Sequence, residues 1–156
     1  DALTTNGTQH HGSKNTPTGV IMSINIIKDS IDLGIITTNP EPMLRFYRDT
    51  LGLKPGGDME IPGGGQMIRL LCGTTVVKLV VNGQPPEQPA VPGGIAGAAG
   101  YRYWTITVDN LQESVQECRD AGYNIAMEPQ EIREGVTFTV IEDPDGNWVE
   151  LLEMAE

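Results

Sequence analysis

The chain has 156 residues, a formal net charge of −11 and a hydrophobic share of 38%, with 19 glycines and 11 prolines. That length accommodates one domain with a core, or two small halves sharing one. The acidity argues against nucleic acid and anionic membrane surfaces as partners, since both demand basic patches, and favours a cationic or neutral ligand; no apolar run nears the ~20 residues of a membrane span.

Residues 1–23 are rich in Thr, Asn, Gly, Ser and His and lack periodicity, so they read as a flexible N-terminal tail without a signal-peptide pattern. His10 and His11, the only histidines, lie there, and two adjacent residues in a flexible tail make no specific metal site. A first strand region is predicted from Ile24 to Thr37. Asn39 follows as helix N-cap with Pro40 at the first helical position, Met43, Leu44, Phe46, Tyr47 and Leu51 form the apolar stripe, and Gly52 ends the helix. Gly63-Gly64-Gly65 reads as a flexible connection into a strand over Gln66 to Cys72, and Gly73-Thr74 turns the chain into another over Thr75 to Val81. Residues 82–100, dominated by Pro, Gly and Ala, read as an unstructured linker.

Tyr101 to Val108 alternates strictly and predicts a strand. Asp109 caps a second helix with the stripe Leu111, Val115, Cys118, and Gly122 stops it. Strands are expected over Asn124 to Met127 and Val136 to Ile141. A hairpin closes the chain around Asp143-Pro144-Asp145-Gly146, where proline presets φ and glycine takes the positive φ. Its second arm sets Glu150 on one face with Trp148 and Leu152, so Glu150 is either a site residue or half of an ion pair. Cys72 and Cys118 show no metal spacing or disulfide framework, which fits a reducing, cytoplasmic setting; they read as small core hydrophobes rather than nucleophiles.

The order strand, capped helix, glycine stop, strands occurs twice. Asp32 corresponds to Tyr103 at an offset of 71 residues and Lys78 to Glu150 at 72, a period that means a duplicated βαβββ module rather than a solenoid. The expected class is α+β: residues 24–156 form a single domain whose two modules, about 25–81 and 101–153, pair into a curved, mostly antiparallel sheet around a central cleft.

Three stretches carry a resemblance to a known family. Residues 32–53, Asp32-Leu-Gly-Ile-Ile-Thr-Thr-Asn-Pro-Glu-Pro-Met-Leu-Arg-Phe-Tyr-Arg-Asp-Thr-Leu-Gly-Leu53, resemble the opening of a glyoxalase/bleomycin-resistance/dioxygenase domain, the vicinal-oxygen-chelate superfamily. Val108-Asp-Asn-Leu-Gln-Glu-Ser-Val and Glu142-Asp-Pro-Asp-Gly-Asn-Trp-Val-Glu-Leu are similar to its second-half signatures. The resemblance spans roughly residues 25 to 153 and implies a glyoxalase-like fold and a homodimer. For activity it implies less, because the superfamily hosts metalloenzymes and metal-free binding proteins alike.

In the metal-dependent members four inward side chains hold a divalent ion, and the positions matching them here are Asp32, Lys78, Tyr103 and Glu150. Only Glu150 retains a common ligand of the family. Asp32 stands where histidine is usual, an ammonium has donors but no acceptor, and Tyr103 would need to ionise far below its usual pKa near ~10. No metal is therefore assigned and no cofactor is favoured. Strand alternation places these four with Thr105 and Trp148 on a mixed cleft face, and Arg69 joins them if Gly73-Thr74 is a two-residue turn; Tyr101 begins the same alternating run as Tyr103. Two readings of the charged set stay open. Lys78 bridges Asp32 and Glu150 as a salt-bridge plug in place of an ion, or Lys78 or Tyr103 donates a proton while a carboxylate acts as base. The function expected is metal-free binding of a small, partly apolar organic molecule, resembling the drug-sequestering resistance members. The alternative is a glyoxalase-like lyase, isomerase or dioxygenase-type enzyme, acting through acid–base groups or through a divalent metal on Asp32 and Glu150.

Overall fold

The computed structural model describes residues 23–156; the expected tail, with His10 and His11, lies outside them. Eight strands and two helices follow one another as two copies of the same unit. The first comprises β1 (Leu33–Ile36), α1 (Pro40–Leu44), β2 (Lys54–Ile61), β3 (Gly65–Cys72) and β4 (Thr75–Val81). The second comprises β5 (Tyr103–Thr107), α2 (Leu111–Asp120), β6 (Ile125–Arg133), β7 (Val136–Glu142) and β8 (Trp148–Met154). Each forms its own four-stranded sheet, ordered β1-β4-β3-β2 and β5-β8-β7-β6, with one parallel pair in each. The registers repeat as well: Gly34 pairs with Lys78 in the first module and Thr105 with Glu150 in the second.

A single core joins the modules. Phe46 and Tyr47 after α1, Leu70, Val77 and Leu79 of the first sheet, Leu111 and Val115 of α2, and Ile141, Val149 and Leu151 of the second sheet belong to one buried cluster. Ile35, Trp104, Ile106 and Val108 pack against it, so the apolar side chains that alternate with the cleft-facing ones form the covered face of both sheets. After Leu44 the helix widens to a π-helical stretch, Arg45–Thr50, with Leu51 N donating to the Phe46 carbonyl at 2.9 Å. The consecutive rings Phe46 and Tyr47 are fully buried there and stack edge to face at 4.7 Å.

Several local expectations need correction. The first strand is only four residues long; Ile24, Ile26, Ile27 and Ile31 stand exposed ahead of it, because no neighbouring strand pairs with them. Asn110, not Asp109, is the second helix's cap position, and neither Asn110 nor Asn39 makes a side-chain cap bond. The segment before Gly63, for which the sequence suggests no element, is β2. Its Pro55, Gly56 and Gly57 weaken strand propensity, and the strand forms at the sheet edge through β3 alone, with a register shift between Pro55 and Asp58. The stretch 82–100 is not wholly unstructured: Gly94–Ala96 forms a 3₁₀ turn seated on the second module.

Candidate functional site

Asp32 immediately precedes β1 and meets the first sheet side-on. Its Oδ1 accepts Lys28 Nζ at 2.6 Å and the Val76 N–H at 3.1 Å, while Oδ2 faces Lys78 Nζ at 3.5 Å. The Lys28 bond, then the Val76 amide and the charges of both lysines, hold the Asp32 carboxyl at a pKa of about 2. Lys78 thus meets one of its two expected carboxylates. Glu150 has no cation within 4.0 Å among the described residues, so the expected bridge between the two acids is absent. Each acid is handled within its own module: Glu150 Oε1 accepts the Thr105 hydroxyl at 2.7 Å, across the directly paired positions of β5 and β8. Gly73-Thr74 is a two-residue turn, with Cys72 opposite Thr75, and this register sets Arg69 opposite Lys78. The Arg69 guanidinium turns back to the Gly56 carbonyl, 2.9 Å away.

On the second sheet, Tyr103, Trp148 and Glu150 line a cavity of about 210 Å³ together with Met127, Phe138 and Val140. Trp148 also walls a second cavity of about 200 Å³ between the facing edges of β1 and β5, which Tyr101 borders. Trp148 is held on two sides. Its indole N–H donates to Glu142 Oε1 at 3.1 Å, and one ring face is covered by Gly94, where a Cβ would lie 2.1 Å from the ring. Gly94 is at φ 53° and Gly93 at 89°, conformations that favour glycine. Arg102 pins this strap, donating to the carbonyls of Gly94 and Val91 at 2.6 Å each. Ile95, at its tip, roofs the Glu150 cavity.

No hydrogen bond or ion pair among the described residues joins the Asp32–Lys78 group to the Tyr103–Trp148–Glu150 group. The residues that complete the second group were not singled out from sequence. Phe138 and Val140 were findable, since they alternate along β7 and Val140 pairs with Glu150. An isoleucine alone among glycines and alanines at 95 was a weaker signal. Lys28 and Arg102 carried none, because long side chains reach partners that local pattern does not name.

The modules are also joined by the turn between β7 and β8. Buried Asp143 accepts the Tyr47 hydroxyl at 2.7 Å and the Asn147 amide N–H at 2.9 Å, while Asp145 accepts the Thr37 hydroxyl at 2.6 Å. Burial pushes the Asp143 carboxyl up, and burial followed by the Asp143 charge pushes the Tyr47 hydroxyl well above its ordinary value.

Paired βαβββ modules with their sheets open on one face define a glyoxalase-like α+β protein. Residues 29–151 match the Glyoxalase/Bleomycin resistance protein/Dioxygenase superfamily, and the chain belongs to it. It is similar to the uncharacterized protein YwkD of Bacillus subtilis (strain 168), with 29% identity over 130 residues, 82% of this chain and 98% of that protein. Its fold is similar to a glyoxalase family protein from Bacillus cereus, with a TM-score of 0.74 and 17% identity over 86% of this chain and 99% of that one. A glyoxalase I variant from Zea mays superposes with a TM-score of 0.66 at 18% identity, over 80% of this chain and 44% of that one.

The divalent ion of the superfamily's metalloenzymes is a poor match for the side chains at the corresponding positions. Lys78 presents an ammonium, Asp32 has both oxygens engaged, and Glu150 stands apart from it. Among the described residues no three of His, Cys, Asp and Glu come together as a ligand set.

Proposed function

We propose that the chain is a metal-free member of its superfamily that binds a small, partly apolar organic molecule in the cleft of the second module, in the manner of a sequestering protein. The observation that carries this reading is the cavity around Trp148, whose walls are aromatic and aliphatic and whose one ionisable carboxylate is Glu150. The engaged state of Asp32 supports the metal-free part, because coordination would have to displace Lys28 and Lys78 first.

The test is thermal-shift screening of the full chain against small aromatic and aliphatic compounds, before and after chelator treatment, with elemental analysis of the untreated protein. A ligand at a hundredfold excess over its Kd should add ~2.7 kcal/mol of stability and raise Tm by several degrees, unchanged by chelation. About one equivalent of metal per chain, lost together with binding on chelation, would overturn the metal-free reading. Turnover of a small organic compound that stops in Lys78→Met would instead make the protein an enzyme working through the partly exposed Lys78–Asp32 pair.

A cytoplasmic homodimer is part of the same reading. Cys72 and Cys118 are free thiols, and Ile36 and Tyr103 leave apolar surface at the cleft rim that a second copy could cover. Light scattering returning one chain mass would remove the dimer alone. No helix of the described residues is long and apolar enough to cross a membrane.

A further inference from the structure

The cavity beneath Ile95 has an unequal chemistry. Tyr103 and Trp148 pair across β5 and β8, Val140 pairs with Glu150 across β7 and β8, and Met127 pairs with Val140 across β6 and β7, so these side chains form one continuous patch. Phe138 completes the wall. Within this lining the only charge is negative. Arg102, the nearest base in sequence, is bound to the carbonyls of Val91 and Gly94. Glu150 keeps its second oxygen without a hydrogen-bond partner among the described residues, its first being taken by Thr105. A carboxylate at the edge of an aromatic pocket gains from a cation that is weakly hydrated and can lie against ring faces, which describes a substituted ammonium better than a metal ion or a hydrated primary amine. The volume, about 210 Å³, is below the ~300–1,000 Å³ of sites for drug-sized ligands, so the pocket suits a compact head group.

We propose that this pocket selects a small organic monocation, an alkyl- or arylammonium whose charge lies against Glu150 and whose methyl groups pack on Tyr103, Phe138 and Trp148. The proposal rests on the cleft being the ligand site inferred above, and narrows the class of molecule it takes. The net charge of −11 adds attraction for such a ligand over the whole surface, but Glu150 supplies the local discrimination.

The experiment compares phenyltrimethylammonium with its uncharged carbon isostere, tert-butylbenzene, by calorimetry and saturation-transfer NMR on the full chain and on Glu150→Gln. That substitution keeps size and an oxygen for the Thr105 hydroxyl, so folding is preserved. The charged probe should bind the unmutated protein about tenfold more tightly than the isostere, and the advantage should fall to about unity in Glu150→Gln. Equal affinity of the two probes for the unmutated chain would overturn the cation preference and leave the small-molecule reading standing; this comparison needs no variant. A preference that survives intact in Glu150→Gln would also overturn the proposal, by removing Glu150 as its seat. Failure of both probes, together with failure of every neutral compound in the thermal-shift screen, would remove the ligand site itself.

Discussion

Asp32 meets cations on two sides and a backbone amide, and the distances rank their importance. Lys28 lies at 2.6 Å and Lys78 at 3.5 Å, with all three side chains about a third or more exposed. Exposed pairs of this kind contribute little to stability, and the longer one contributes less. Lys78→Met should therefore leave Tm nearly unchanged, whereas Lys28→Ala should move the Asp32 titration, followed by carboxyl NMR, from about 2 toward the ordinary value. A larger upward shift in Lys78→Met than in Lys28→Ala would reverse that ranking. Because the folded pKa is depressed, the stability linked to Asp32 is present above its unfolded pKa near ~3.9 and is lost as pH falls through about 2. A deeply buried Lys78 that was the sole cation beside Asp32 would matter far more, but Lys78 is about a third exposed and Lys28 stands closer.

At the scale of elements, the strap that carries Gly94 has narrow steric limits. A Cβ at Gly94 would lie 2.1 Å from the Trp148 ring, and one at Gly97 would lie 1.9 Å from the Pro92 carbonyl oxygen. Gly94→Ala should lift the turn off the indole. The left-handed backbone alone costs ~1–2 kcal/mol, and the collision adds to it. The measurable result is a red shift and altered quenching of tryptophan emission without global unfolding, since the strap lies outside the shared core. Unaltered emission and stability would mean that the strap does not rest on Trp148 in solution. Arg102→Ala should act in the same direction by releasing the carbonyls of Val91 and Gly94.

At the scale of the molecule, the two modules share a core and a polar lock. Tyr47, from the first module, donates to Asp143, from the second, and both groups are buried. Tyr47→Phe should cost ~1–3 kcal/mol in urea denaturation at neutral pH, because it withdraws a donor from a buried carboxylate. The Asp143 carboxyl is pushed up by burial, so its contribution favours folding below its unfolded pKa and is lost as pH rises through the raised folded value. The penalty of Tyr47→Phe should therefore shrink in mild acid, where Asp143 takes up a proton. A penalty independent of pH would place the effect in packing instead.

Periodicity carried much of this protein. The alternation of β4, β5 and β8, the glycine stop at Gly52, the turns at Gly73 and Gly146, and the recurrence of one register in both modules are local or repetitive features, and each follows from side-chain spacing and backbone sterics that a sequence displays directly. The same spacing placed Tyr103, Trp148 and Glu150 on one face. Partner choice was beyond it. Lys28 joins Lys78 around Asp32 while Glu150 turns to Thr105, Arg102 folds a glycine-rich stretch into a strap, Tyr47 finds Asp143 from 96 residues away, and the Pro- and Gly-containing β2 forms because β3 offers it a ladder. Those outcomes depend on which groups the folded backbone brings within ~3 Å of one another, and the Tyr47–Asp143 bond exists only once the modules have packed.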